Sequence, residues 1–193
     1  MAFDALDQIP DEDLLARYGA GDQAAAAELA RRLTPRVLGV ASRLLGDRAE
    51  AEDVAQEAML RLWRIAPEWR RGEAQVSTWL YRVTSNLCTD RLRRRRPVPL
   101  EAAGDPASDA PSAEAGLLAT ARQQALDQAL AGLPDRQRQA VVLRHIEGLA
   151  NPEIAQIMQI GVEAVESLTA RGKRALAAAL AGRKRELGYD DDG

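Results

Sequence analysis

RLWRIAPEWRRGEAQVSTWLYRVTSNLCTDRLRRRR, residues 61–96, sets ten arginines against three acids and holds all three tryptophans of the chain together with Tyr81. Clustered arginine neutralises phosphates, and flat rings give bases a sequence-tolerant stacking surface, the combination that single-stranded nucleic acid demands. The periodicity predicts a helix from Ser77, a good N-cap residue, to Pro97, with Leu80, Val83 and Leu87 at core spacing. Arg82, Asn86, Thr89 and Arg93 then share one outward stripe. The preceding EWRRGEAQV is short, polar and glycine-containing, so it predicts a loop at the helix N-terminus, where backbone N–H groups favour anions. Loop and basic helix would enclose a cleft for an extruded base, with Asn86 offering an amide to its edge. Trp63 and Trp79 read more readily as core residues; Trp69, in the loop, is the better stacking candidate.

Outward from this stretch toward the N-terminus, the chain reads as helix after helix. Asp11 or Asp13 can cap a short helix ending near Gly19, and Asp22 caps a second through Leu33. Thr34-Pro35 reads as an N-cap followed by proline at the first helical position, opening a third helix that stops at Gly46. Asp47 starts a fourth, with Glu50 placed as in a capping box. Val54, Ala58, Leu62 and Ile65 keep core spacing in that fourth helix, while Glu50, Asp53, Glu57, Arg61 and Arg64 line another face. That face is either solvated, with a Glu57–Arg61 pair one turn apart, or a docking face for a partner helix. No segment alternates with period two over a strand's length, which makes the fold class all-α.

Toward the C-terminus the composition changes abruptly. Residues 97–118 carry four prolines and four acids, with no base and no aromatic, and predict a flexible acidic tether. The chain is thus expected to divide into a helical domain (1–97), a linker (98–118), a second helical domain (119–183) and a tail (184–193). In the second domain Ala119 to Ala131 forms one helix, Pro134 opens DRQRQAVVLRHIE, and Gly148 ends it. Asn151 caps the short PEIAQIM, and after a tight turn at Ile160-Gly161 the pattern VEAVESLTARGKRALAAAL runs to Gly182. Short helix, tight turn, longer helix is the helix-turn-helix plan, held together here by Ile154, Met158, Val162, Val165 and Leu168.

Composition excludes several classes. The formal net charge of −3 hides segregation: residues 1–60 carry twelve acids and six bases, whereas residues 61–96 sum to +7. A chain that is acidic overall with one basic zone can touch DNA locally without adhering everywhere. Cys88 is the only cysteine and His145 the only histidine, which leaves no disulfide framework and no zinc set. Neither a signal peptide nor a membrane-spanning run is present, so the expected location is cytoplasmic, without membrane insertion. With no phosphate loop, triad or metal constellation, an enzyme and a cofactor are not expected.

Taken together, residues 51–64 (AEDVAQEAMLRLWR), 69–96 and 132–158 (GLPDRQRQAVVLRHIEGLANPEIAQIM) resemble the bacterial extracytoplasmic-function (ECF) RNA polymerase sigma factors, group IV of the sigma-70 family. The resemblance implies a non-enzymatic protein that binds core RNA polymerase, selects promoter DNA and nucleates its melting. It implies docking of Glu52, Asp53, Gln56 and Glu57 on the clamp helices of the β′ subunit. It implies capture of a flipped base of the minus-10 element, as single strand, by Trp69, Arg70, Arg71, Val83 and Asn86; Trp79, Arg82 and Arg93 join them on the helix. The second domain would read the minus-35 element as duplex through Glu166, Ser167, Arg171, Lys173 and Arg174. Where the family commonly shows a hydroxyl residue and then Thr-Val-Lys/Arg-Ser, this chain has GVEAVES, with Gly161, Ala164 and Glu166, which changes the expected phosphate anchors and base preference. An anti-sigma factor is the further partner implied. Two rivals are a stand-alone helix-turn-helix regulator of duplex DNA and a protein that occupies the sigma site on polymerase without melting DNA.

Overall fold

The computed structural model describes residues 6–70, 72, 75–95 and 114–181, with side chains from residue 121 onward in the last stretch. Arg71, Pro97, linker residues 98–113 and the tail 184–193 lie outside the described residues. Every regular element among the described residues is helical: α1 (Asp11–Gly19), α2 (Gln23–Leu45), α3 (Arg48–Ile65), a 3-10 turn (Ala66–Glu68), α4 (Val76–Arg95), α5 (Glu114–Ala131), α6 (Asp135–Val141) continued by a π-turn (Val142–Ile146), α7 (Asn151–Met158) and α8 (Val162–Ala181). The chain forms two compact units, the first built on α1 to α4 and the second on the helices after Pro97. Among the described residues, no helix is long and apolar enough to cross a membrane.

The first unit is a four-helix arrangement whose core is one apolar cluster. Leu14 and Leu15 of α1, Ala25, Leu29, Leu33 and Val37 of α2, Ala58 and Leu62 of α3, and Leu80 of α4 are its most deeply buried members. The expected break at Thr34-Pro35 does not occur: α2 runs unbroken from Gln23 to Leu45 with Pro35 inside it. Proline there forfeits the bond to the Arg31 carbonyl and is disfavoured by about 3 kcal/mol. Continuity wins because Leu29 and Leu33 before the proline, and Val37, Val40, Ala41 and Leu44 after it, lie on one buried stripe. Asp22 caps α2 as expected, accepting from the Ala24 and Ala25 N–H groups. Gly46, at φ 64°, ends it in the left-handed region that a residue with a Cβ avoids.

The starts of α1, α3 and α4 depart from expectation to different degrees. Pro10, not Asp11 or Asp13, precedes α1, and Asp11 instead accepts from Arg32 at 3.0 Å. Asp47 does cap α3 through the Glu50 N–H at 2.9 Å, but the Glu50 carboxylate turns away to take Arg95. Ser77 sits inside the first turn of α4, which begins at Val76.

A buried polar knot pins the N-terminal segment to α2. Glu28 is 1% exposed and accepts from Arg31 and Arg32 at 2.6–2.9 Å. Arg32 then donates to the Leu6, Asp7 and Ile9 carbonyls. Hydrogen bonds from Arg31 and Arg32 hold the Glu28 carboxyl down, from 4.5 to about 2.

In the second unit α5 starts at Glu114, five residues earlier than expected, because EAGLL continues the helix-favouring composition. Arg138, in α6, closes the far end of α5: its guanidinium donates to the Leu130, Ala131 and Leu133 carbonyls at 2.9–3.0 Å. α6 and α8 cross at Gly172, where a Cβ would stand 2.5 Å from Val141 Cγ2, so only glycine permits this approach. α7 is capped from Ala150, whose N–H donates to Glu153 Oε2 at 2.8 Å; Asn151, the expected cap, is the first helical residue. The turn to α8 passes through Gln159 at φ 53°. Of the residues expected to join α7 to α8, Ile154, Met158 and Val165 are buried and Leu168 is half-buried, whereas Val162 is 39% exposed.

Candidate functional site

Three surfaces carry the sequence-derived residues. The first is α4 and the loop before it. Arg82, Asn86, Thr89 and Arg93 are all exposed along one face, as the spacing predicts. The buried face is rotated from the expected one. Val76, Leu80, Tyr81, Thr84, Ser85 and Cys88 point inward, while Val83 and Leu87 flank the core half-buried. Periodicity of apolar residues misses this because Thr84 is core despite its hydroxyl, which donates back to the Leu80 carbonyl at 2.8 Å. Burial pushes the Cys88 thiol up to about 12, so it is an inert packing residue rather than a thiolate.

The tryptophans are all partly buried against the core. Trp63 meets Tyr18 edge-on at 4.9 Å. Trp69 does not stand free in the loop: it lies edge-on to Trp79 at 6.1 Å and 88°, with its indole N–H buried and unpartnered. Trp79 shares one side of α4, by helical spacing, with Arg82, Val83 and Asn86. Arg70 is exposed at the loop, and Gly72 turns the chain at φ 82°.

Two arginines of the basic run are not available on that face, which sequence reading missed. Arg95 pairs with Glu50 at 2.7 Å and Asp47 at 3.5 Å and donates to the Leu45 carbonyl. Arg91 reaches Asp53 at 3.5 Å and the Glu50 carbonyl. The signal was present: acids at 47, 50 and 53 repeat every three residues, and Arg91 and Arg95 are one turn apart.

The second surface is the outside of α3. Glu52, Asp53 and Gln56 are exposed and Glu57 is half-buried. Glu57 accepts from Arg61 at 2.8 Å, and that hydrogen bond holds its carboxyl below the usual range. Glu52 and Gln56 border a groove of about 320 Å³ between α2 and α3, floored by Leu38, Ala55, Met59 and Trp63 and edged by Leu60, itself 41% exposed. Asp53 and Glu57 lie beyond the groove residues, Asp53 toward Arg91. The apolar floor escaped sequence reading; its trace is Leu60, which falls off the 54/58/62/65 core spacing.

The third surface is α8. Glu166, Ser167, Arg171, Lys173 and Arg174 are all exposed. Glu166 is not simply a lost base: its Oε1 accepts from Asn151 Nδ2 at 3.4 Å, linking the recognition helix to the start of α7. Arg171 folds back on Ser167, donating to its hydroxyl at 2.9 Å. His145 lies near this helix, its imidazole pushed down by burial and by the Lys173 and Arg144 charges. Among the described residues, no group of histidine, cysteine or carboxylate side chains could hold a metal ion.

Comparison with known proteins covers both units. The family model "Sigma-70 region 2" matches residues 29–98, and "Sigma-70, region 4" matches residues 123–176. The RNA polymerase sigma-H factor of Pseudomonas aeruginosa is 33% identical over 186 residues, covering 91% of this chain and 96% of that protein. The ECF RNA polymerase sigma factor SigW of Bacillus subtilis is 32% identical over 167 residues, covering 81% of this chain and 89% of SigW. Among solved structures, CnrH in complex with the cytosolic domain of CnrY superposes with a TM-score of 0.64 at 26% identity, covering 89% of this chain and 97% of that one.

Proposed function

The chain belongs to the extracytoplasmic-function sigma factors of the sigma-70 family, non-enzymatic proteins that direct RNA polymerase to promoters, and we propose a division of that work among its three surfaces. The α3 face docks on the clamp helices of the polymerase β′ subunit, with Leu60 and the apolar groove taking a partner side chain and Glu52, Asp53, Gln56 and Glu57 meeting its polar rim. The α4 face holds the melted minus-10 strand: Arg82 and Arg93 meet phosphates, and Asn86, Val83, Trp69, Trp79, Arg70 and Arg71 surround the flipped base. The α8 face reads the minus-35 element as duplex, with Arg171, Lys173 and Arg174 on phosphates and Ser167 near the base edges. Glu166, engaged by Asn151, sets the pose of the recognition helix. The protein works in the cytoplasm, and an anti-sigma factor is its natural antagonist; CnrH, solved with the cytosolic domain of CnrY, offers a parallel.

The observation that carries this division is the exposure of the Arg82–Asn86–Arg93 stripe on a helix whose opposite side is core. Extrusion of a base costs a few kcal/mol, which stacking and pocket hydrogen bonds must offset. Permanganate footprinting of a promoter library with core polymerase, with and without the chain, tests the reading. Melting only when both are present is expected, and Asn86→Ala lowers melting while polymerase binding is kept. Equal loss of both would remove Asn86 from the pocket.

A further inference from the structure

Beyond Cys88, α4 buries no further residue; Arg91 and Leu92 are half-buried and the rest of residues 89–95 are exposed. At a rise of about 1.5 Å per residue, this overhang extends about 10 Å past the core. Arg93 lies in it, its side chain 77% exposed and 3.8 Å from Asp90. Arg95 ties the overhang down, and each of its three guanidinium nitrogens is taken. Nε donates to Glu50 Oε1 at 3.0 Å, and Nη1 donates to the Leu45 carbonyl at 2.9 Å. Nη2 stands 2.7 Å from Glu50 Oε2 and 3.5 Å from Asp47 Oδ2. Leu45 is the last residue of α2, where carbonyls run out of intrahelical partners, whereas Asp47 and Glu50 open α3. Arg91, one turn earlier, adds a looser contact with Asp53 at 3.5 Å.

We propose that Arg95 is a positioning residue for promoter opening: it meets no DNA, and by clasping the end of α2 and the start of α3 it keeps Arg93 on the stripe of Arg82 and Asn86. The proposal rests on the reading that this stripe meets the melted strand, with Arg93 on a phosphate. It divides the arginines of the run by task. An exposed arginine attracts any phosphate within reach. Arg95 instead has its fork matched by one carboxylate with a second close by, and both carboxylates repel phosphate. Without the clasp, the end of α4 frays easily, because its last carbonyls lack partners and no buried side chain holds that segment. Arg93 then samples directions away from the strand, and ordering it again weakens binding.

The test uses holoenzyme assembled from core polymerase and the full chain, the chain saturating, so that polymerase-bound variants are compared. Binding is measured to a single-stranded oligonucleotide spanning the segment opened in the footprinting experiment. Arg93→Gln is expected to weaken binding about fourfold, the counterion release of one single-strand phosphate at about 0.15 M salt. Arg95→Gln is expected to weaken it by a similar factor in the wild type but by less than about twofold once Arg93→Gln is present, with polymerase binding unchanged. A change that merely destabilised the unit would act equally in both backgrounds. Glu50→Ala separates positioning from contact by sign: removing a carboxylate beside a DNA-binding Arg95 would strengthen binding, whereas loss of the clasp weakens it to the level of Arg95→Gln. Arg95→Gln without effect, equal effects in both backgrounds, or tighter binding by Glu50→Ala overturns the clasp and spares the strand reading. Arg93→Gln without effect removes the phosphate contact from the stripe, and this proposal falls with it.

Discussion

Arg138 gives the sharpest test of how the second unit is held. Its side chain is 9% exposed, and its guanidinium closes the end of α5 through the Leu130, Ala131 and Leu133 carbonyls. Arg138→Met keeps the apolar stem and removes the donors. A hydrogen bond to a charged group contributes about 1.5–3 kcal/mol, so losing three of them is a large perturbation. Two effects lower it. Burial depresses the guanidinium pKa, so removing the charge relieves a desolvation cost; and carbonyls at a helix end regain water in part. The pair with Asp135, at 3.7 Å and with Asp135 half exposed, adds little. A net loss of about 3 kcal/mol follows, lowering Tm by about 15 °C for a domain of this size. The assay separates the units by itself. Trp63, Trp69 and Trp79 all belong to the first unit, so tryptophan fluorescence reports its unfolding, while far-ultraviolet circular dichroism reports both. The variant is expected to show a new early circular-dichroism transition with the fluorescence transition unmoved. A loss under about 1 kcal/mol, or an equal shift in fluorescence, would refute the capping role.

Gly172→Ala forces a Cβ to within 2.5 Å of Val141 Cγ2 and is expected to destabilise the second unit by about 2 kcal/mol; adding Val141→Ala gives a double variant less destabilised than the sum, measured by the same melts. Gln159→Gly relieves a positive φ of 53° that a side chain disfavours and raises stability by about 0.5 kcal/mol after the entropy glycine adds to the unfolded chain. The Glu28 carboxyl is lowered from 4.5 to about 2 in the folded state, so its stabilisation is fully present above pH 4.5 and is lost as pH falls toward 2. Acid titration followed by tryptophan fluorescence should show that loss in the wild type, with a flatter profile for Glu28→Gln below pH 4.5.

Helix content and helix order were legible because the relevant signals are local: Asp22, Gly46 and Asp47 act on neighbouring N–H and C=O groups wherever the helix goes. The exposed stripe of α4 was legible for the same reason, since one helix fixes which residues share a face. What stayed hidden depends on a second element. Pro35 looked like a helix start because its cost is local, whereas the apolar stripe that outweighs it is buried against α3 and α4. Trp69 looked free because the loop is polar, and only the position of Trp79 on α4 shows that its ring has a neighbour. Glu166 looked like a charge reversal on the recognition helix; its contact with Asn151 lies fifteen residues away in sequence.

Ion pairs between α3 and α4 tie the helix proposed for docking to the helix proposed for DNA. Exposed pairs contribute about 0–1 kcal/mol each, so neither Arg91–Asp53 nor Arg95–Asp47 would hold α4 alone. Arg95 differs because it also donates to the Leu45 carbonyl at the end of α2 and engages Glu50 through two nitrogens, joining three helices at one guanidinium. The charges also fall where the peptide dipoles favour them, acids in the first turns of α3 and arginines in the last turn of α4. The outer groove of α3 and the outward stripe of α4 therefore move as one body, with the core between them. A protein seated against Leu60 and Gln56 sets the direction in which Arg82 and Asn86 point without any hinge between the two faces.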